Sequence, residues 1–71
     1  MLTKLPAPRP ARLALDGYAG QRALRVEVVG EIGSRWAIRF LEAGYLPRGS
    51  QAVVGDVLLW PKHDVLLNDA P

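Results

Sequence analysis

The segment from Val54 to Leu67 constrains the fold of this chain more than any other. A Gly-Asp turn signal opens it, an apolar run follows from Val57 to Trp60, and Pro61 ends that run. Three more apolar residues, Val65 to Leu67, come after a polar corner. This order predicts a strand, a tight corner and a short closing strand, as in small, strongly bent antiparallel barrels.

The apolar run makes a second prediction. The residues from Val57 to Trp60 do not alternate with polar ones, so both faces of this strand are expected to be covered. The core would cover one face. The other would be covered by the N-terminal segment, by another subunit, or by the predicted excursion over residues 42–50 with its anchor Tyr45 and Leu46.

Alternation of apolar and polar residues predicts the remaining strands. Residues 12–16 form a weak first strand, and residues 17–20 form a turn. Residues 23–32 alternate well and residues 35–41 alternate again. The pair Gly33-Ser34 between them predicts a tight turn, so these two runs form a hairpin.

The register of this hairpin needs one adjustment. A two-residue turn by itself would place inward residues opposite outward ones. A three-residue loop or a β-bulge at Gly30 would restore the register, and a glycine within a β-branched run favours the bulge. Either solution brings Arg39 close to Glu27 or Glu31, which predicts a cross-strand ion pair.

Residues 1–12 predict an extended arm outside the barrel domain, which takes up residues 13–71. Three prolines spaced two residues apart remove backbone donors and fix φ, which argues against a helix or a central strand. The arm carries Lys4, Arg9 and Arg12 and no acidic residue. We expect it to be disordered, either without a role or grasping nucleic acid or a protein partner.

Length and composition narrow the class of protein. A chain of 71 residues forms one domain with a marginal core, and without cysteine it has no disulfide to stabilise it, so a homo-oligomer is expected. No apolar run approaches the roughly 18 residues that a membrane span needs. A soluble, cytoplasmic protein with no membrane partner is therefore expected.

Charge is unevenly distributed along the chain. The net charge is +2, yet residues 13–71 contain six basic side chains and seven acidic ones. The basic character therefore comes from the arm rather than from a basic face of the folded body, where a nucleic-acid binder usually has it. Seven of the nine basic residues are arginine, which suits bidentate contacts to phosphate or carboxylate.

The side chains that catalysis requires are scarce. The single histidine, His63, lies beside Asp64 in a polar corner, where a solvated surface residue is expected. Ser34 and Ser50 lie in turn sequences, and there is no glycine-rich phosphate loop. The sequence therefore predicts a protein that is not an enzyme and uses no cofactor or metal.

The order of hairpin, strand, proline corner and short final strand resembles the SH3-like barrel. The segment Val57 to Pro61 is similar to the Val-Gln-Ile-Tyr-Pro segment of type II dihydrofolate reductases, short chains that work as tetramers around a pore. The active-site glutamine of that family falls on Leu58 and its tyrosine on Trp60. The resemblance therefore implies the barrel without the reductase activity.

A second resemblance is to the bacterial Sm-like RNA chaperones, which form rings that bind RNA. Their Tyr-Lys-His run between the last two strands is matched here by Pro61, Lys62 and His63, with proline in place of tyrosine. Their leading helix has no counterpart in the proline-rich arm. Both resemblances imply an all-β fold: one small, five-stranded antiparallel SH3-like barrel with a disordered N-terminal arm.

The sequence predicts a non-catalytic binding module, and two kinds of partner stay open. In the first, RNA or DNA is bound by the arm and an arginine-bearing face, with aromatic stacking on Trp60. In the second, the chain is a protein-protein adapter or inhibitor that acts as a homo-oligomer, with the run from Val57 to Trp60 as its interface. The candidate ligand-binding residues are Arg25, Arg35, Arg39, Arg48, Trp60, Lys62 and His63, joined by Lys4, Arg9 and Arg12 of the arm.

Overall fold

The computed structural model describes residues 2–13, 23–46 and 49–67, and this part of the chain is all-β. Five strands form an antiparallel sheet in the order β6-β3-β2-β1-β7, and β4 and β5 form a separate two-stranded pair. The large sheet curls into a half-barrel, which confirms the predicted fold class. The strands are β1 (Thr3–Leu13), β2 (Leu24–Ile32), β3 (Arg35–Phe40), β4 (Gly44–Tyr45), β5 (Gln51–Ala52), β6 (Val57–Pro61) and β7 (Val65–Leu67).

The core lies on the concave face of the curled sheet. Because side chains alternate along a strand, every second residue of β2 and β3 points into this face. Phe40 is the largest of the fully buried side chains, and Leu46 reaches the same core from the excursion that follows β3. The buried cluster consists of Ala11, Leu13, Leu24, Val26, Val28, Ile38, Phe40, Leu46, Ala52 and Val65.

The β2–β3 hairpin has the predicted two-residue turn and the predicted bulge. Ile32 lies opposite Arg35 next to the turn, whereas Val28 lies opposite Ile38, and the register shifts between Val28 and Gly30. Gly33 has a φ of 57°, a conformation that glycine adopts without steric cost. The bulge lets Val28 and Ile38 share the core face, as the alternation of both strands requires.

Gly30 is needed for a second reason. A Cβ atom at this position would lie 3.0 Å from the backbone oxygen of Thr3 and 3.2 Å from a methyl group of Leu2. The start of β1 thus passes directly over the bulge. A glycine at this point permits the close approach of the two backbones.

The N-terminal segment differs from the predicted arm, because Thr3–Leu13 is strand β1 of the sheet. The expectation that residues 1–12 remain outside the barrel is therefore wrong for the described residues of this segment. From Arg9 to Leu13 the strand pairs without interruption with β2, and from Ala11 to Leu13 it also pairs with β7.

The prolines are compatible with this strand because they stand at positions whose N–H would not donate to β2. The Leu41 N–H donates to the Arg25 carbonyl of β2 at 3.0 Å, so the backbone of Arg25 faces β3. By antiparallel alternation, the backbone groups of Val26 face β1 and pair with Ala11. Pro10 therefore points away from β2 and leaves this ladder intact, and the other two prolines lie in the irregular stretch between Lys4 and Arg9, where the register shifts.

The C-terminal elements follow the prediction closely. β6 ends at Pro61, a 3₁₀ turn (Lys62–Asp64) forms the corner, and β7 pairs with β1. Asp56 is a turn residue as expected, because its Oδ2 accepts a hydrogen bond from the Val53 N–H at 2.9 Å. Residues 14–20, which hold the end of the predicted first strand and the predicted turn, lie outside the described residues.

Candidate functional site

Strand β6 forms one edge of the five-stranded sheet. It pairs with β3 on one side, and within the described residues no strand pairs with its other side. The Phe40 N–H donates to the Asp56 carbonyl at 2.9 Å, and the Lys62 N–H donates to the Ser34 carbonyl at 3.0 Å. Even-numbered residues of this strand therefore bond to β3, so the N–H and C=O groups of Val57 and Leu59 point to the open side.

The side chains along this edge are apolar and partly exposed. Val57 and Leu59 lie on the outer face and are 53% and 46% exposed. Leu58 faces the concave side opposite Ile38, yet it remains 37% exposed because the half-barrel is open here. The predicted covering of both faces of this strand is thus not supplied by the described part of the chain.

An open groove of about 440 Å³ runs beside the edge. Its apolar lining comes from β6 and from Leu46 of the excursion, and its polar lining from Arg35, Ser50 and Asp64. The residues that line it are Arg35, Leu46, Ser50, Leu58, Leu59, Trp60, Pro61 and Asp64. A groove along an unpaired strand can take an extended backbone, which gains main-chain hydrogen bonds as well as apolar contact.

Among the described residues, β6 lacks the features that keep an edge strand from pairing with another chain. Natural edges are usually blocked by charged side chains, by proline within the strand or by a covering element. No residue from Val57 to Pro61 is charged, and the one proline stands at the C-terminal end. The first three residues of β6 thus present an unblocked edge. Below, Val57, Leu58 and Leu59 together are called the β6 edge.

Three of the predicted ligand-binding cations are occupied by acidic neighbours. Arg39 donates to Glu27 through Nε and Nη2, which confirms the predicted cross-strand pair. The Arg25 N–H donates to Oε2 of Glu42 at 2.6 Å, and its Nε lies 3.8 Å from the same oxygen. Such pairs at the surface contribute only about 0–1 kcal/mol each, but each one offsets the charge of its arginine.

Lys62 is the third of these cations. Its Nζ lies 2.7 Å from Oε2 of Glu31 and 4.4 Å from the centre of the Trp36 ring. The two-residue turn explains this arrangement, because it pairs Ile32 with Arg35 and therefore Glu31 with Trp36. Trp60 of β6 is half-buried and lies opposite Trp36 across the β3–β6 ladder. The predicted stacking platform therefore packs against the core.

The remaining predicted residues are spread over the surface. His63 is exposed, and its Nε2 lies 3.5 Å from Oδ1 of Asp64. Arg35 is exposed next to the hairpin turn, and Arg48 lies outside the described residues. Of the predicted binding residues, Arg35 and Trp60 both line the groove beside β6, and the other described ones do not line it.

The basic residues of the predicted arm lie along β1. Lys4 and Arg9 are exposed on the part of β1 that pairs with β2 alone. Arg12 lies directly opposite Arg25 across the β1–β2 ladder, and both are exposed. Like charges in facing positions repel. Arg25 has Glu42 beside it, whereas no acidic side chain among the described residues pairs with Arg12.

Neither a metal-binding cluster nor a membrane-spanning helix is found in the part of the chain that the structure describes. No group of three or more histidine, cysteine, aspartate or glutamate side chains is placed to hold a metal ion there. Nor does any helix among these residues have the length and apolar character needed to cross a membrane.

Comparison with protein-family models, with curated proteins and with solved structures finds no match for this chain.

The list of ligand-binding residues drawn from the sequence contains only Trp60 of β6, whereas the adapter alternative takes the whole run from Val57 to Trp60 as an interface. The loss of alternation in this run predicts that both faces are covered, but it does not indicate that the strand lies at the edge of the sheet. An edge strand with an open outer face has the same pattern as a buried strand, and only the strand order separates the two.

Proposed function

We propose that this protein is a non-catalytic protein-binding module whose binding surface is the β6 edge. The observation that carries the proposal is the combination of backbone groups at Val57 and Leu59 that pair with no described strand and exposed apolar side chains along the same strand. A partner that adds an extended strand there would pair with these groups and cover the side chains. The proposal develops the adapter alternative drawn from the sequence.

The charge distribution supports this choice over nucleic acid. Arg25, Arg39 and Lys62 each have an acidic partner, so these three predicted contacts offer little net positive charge. Binding to a phosphate backbone depends on such charge, since it is driven largely by the release of counterions. The β6 edge has no charged residue to favour an anion.

A matched pair of substitutions tests the proposal. Leu59 and Leu66 are both exposed leucines in edge strands, at 46% and 54%, but on opposite edges of the sheet. Leu59→Lys is expected to abolish retention of protein partners by the immobilised chain, because it places a charge in the contact. Leu66→Lys is expected to retain them, as measured by quantitative mass spectrometry of the bound proteins.

Two results would contradict the proposal. One is a wild-type chain that retains no protein, neither a second copy nor any other. The other is a Leu59→Lys chain that retains the same proteins in the same amounts as the wild type. Far-UV circular dichroism of both variants establishes that they are folded.

Nucleic-acid binding is the second candidate, and the facing pair Arg12 and Arg25 is the observation that favours it. A phosphate group between two facing arginines would relieve their repulsion. Fluorescence anisotropy of labelled RNA and DNA oligonucleotides would then show affinity that falls steeply with salt, and Arg12→Gln would reduce the slope by about one. Absence of binding at low salt would eliminate this candidate.

A further inference from the structure

We infer that the strand received by the β6 edge is β6 of a second copy of this chain, paired antiparallel about a two-fold axis. This inference rests on the proposed function and names its partner. It would join two half-barrels into one continuous sheet. The register, the charges and the small core all favour a second copy as the partner of the β6 edge.

The chemistry of β6 selects a single register. The residues with backbone groups on the open side are Val57 and Leu59, followed by Pro61, which has no N–H to donate. Pairing Leu59 with Leu59 of the second copy would bring Pro61 into the ladder and lose a donor at each end. Pairing Val57 with Val57 of the second copy would extend the ladder to Gly55, which lies in a turn with a φ of 96°.

The remaining register pairs Val57 of each copy with Leu59 of the other. Each of these pairs exchanges both of its backbone hydrogen bonds, and the two-fold axis passes between the two copies of Leu58. On the outer face, Val57 of one copy contacts Leu59 of the other. On the concave face, Leu58 meets its own counterpart at the open side of the half-barrel, which covers the side chain that the monomer leaves exposed.

The charges beside β6 complement each other in this arrangement. Asp56 precedes the strand and Lys62 follows it, with no charged residue between them. Antiparallel pairing in the selected register places Asp56 opposite Trp60 of the second copy, at the end of the strand where Lys62 of that copy begins the 3₁₀ turn beside its own Glu31. A parallel partner of the same sequence would instead bring like charges to the same end.

The size of the core supplies a reason for association. Phe40 is the one aromatic side chain among the fully buried residues of the described chain, and the other large ones are Leu13, Ile38, Val26 and Val28. A domain of this size has little stability to spare without a disulfide, a metal or a partner. Burial of the β6 edge adds apolar contact where the core is open.

Sedimentation equilibrium on the purified chain tests whether the second copy is the partner. We expect a monomer–dimer equilibrium. Leu59→Lys should raise the dimer dissociation constant more than about tenfold, a change of about 1.4 kcal/mol. Leu66→Lys on the opposite edge should leave it unchanged.

Cysteine cross-linking tests the register. Because the sequence contains no cysteine, an introduced one can form a disulfide only with its counterpart in a second copy. Residues in a non-hydrogen-bonded pair have Cα atoms about 4.5 Å apart, within the range that a disulfide bridges. Under mild oxidation, Leu58→Cys should therefore form a covalent dimer. Leu66→Cys should stay monomeric.

The outcomes separate this inference from the proposed function. A purified chain that remains monomeric at all concentrations, or Leu66→Cys cross-linking as fast as Leu58→Cys, would overturn the second copy as the partner. If the wild type is monomeric but retains a different protein, and Leu59→Lys does not retain it, the binding function of the β6 edge would stand with a strand from that protein as the partner. If the wild type neither dimerises nor retains another protein, both proposals would be wrong.

Discussion

Deletion of residues 2–13 is expected to leave the remaining chain unfolded. Strand β1 lies between β2 and β7, so its removal separates β7 from the sheet. It also removes Ala11 and Leu13, whose side chains are 2% and 0% exposed in the core. Losing one buried leucine costs about 2–5 kcal/mol, and a domain of this size has only about 5–15 kcal/mol in total. Far-UV circular dichroism and urea denaturation measure the outcome.

Deletion of residues 2–8 is the control for this experiment. It keeps Arg9 to Leu13, which form the uninterrupted ladder with β2 and all the pairs with β7. It removes the pairs at Thr3 and Lys4, the contact of Leu2 over Gly30 and the partial packing of Leu5. A cooperative transition at lower urea concentration is expected. If the chain that lacks residues 2–13 unfolds like the wild type, β1 is dispensable, as a detached arm would be.

The second large effect is expected at Phe40. Its side chain is fully buried on the concave face, at 0% exposure, and its truncation in Phe40→Ala leaves a cavity among β-branched and leucine side chains. The expected loss is about 3–5 kcal/mol of the free energy of unfolding, from urea denaturation at fixed protein concentration.

Leu66→Ala is the comparison for Phe40→Ala. Leu66 is 54% exposed, and substitutions at such positions usually change stability by less than about 0.5 kcal/mol. A loss below 1 kcal/mol for Phe40→Ala would contradict the placement of this ring at the centre of the core. A variant too unstable to fold without an osmolyte would support it.

The parts of the fold that the sequence predicted depend on local patterns. The β2–β3 hairpin follows from alternation, and the bulge follows from one glycine within a β-branched run. The Arg39–Glu27 pair follows from that register. Each inference involves residues close in sequence, where the period of two leaves few alternatives.

The prediction for β1 was wrong because it took proline to exclude a strand from the sheet. Proline excludes only those positions whose N–H must enter a ladder. Along most of its length β1 pairs on one side, and Pro10 directs its missing donor to the other. The spacing of the prolines by two residues was a usable signal, since it is compatible with donors lost along a single edge.

The candidate site was harder to predict because it depends on strand order. Residue type alone indicates the arginines as ligand-binding candidates. Glu27 and Glu42 come close to two of them only when the sheet has formed. The β6 edge was visible as an apolar run, but its open side follows from the position of β6 at the end of the sheet. Neither feature can be read from residues that are neighbours in sequence.

The pairing of β1 with β7 also sets an order of events during folding. Of the described strands, β1 is synthesised before all the others and its neighbour β7 after them, while β2 and β3 need only a two-residue turn. Closing the contact between Ala11 and Leu67 is thus the most non-local step, and such steps are slow. Until then one side of β1 stays unpaired on the growing chain, and Pro10, which has no N–H to donate on that side, disfavours pairing with the wrong strand.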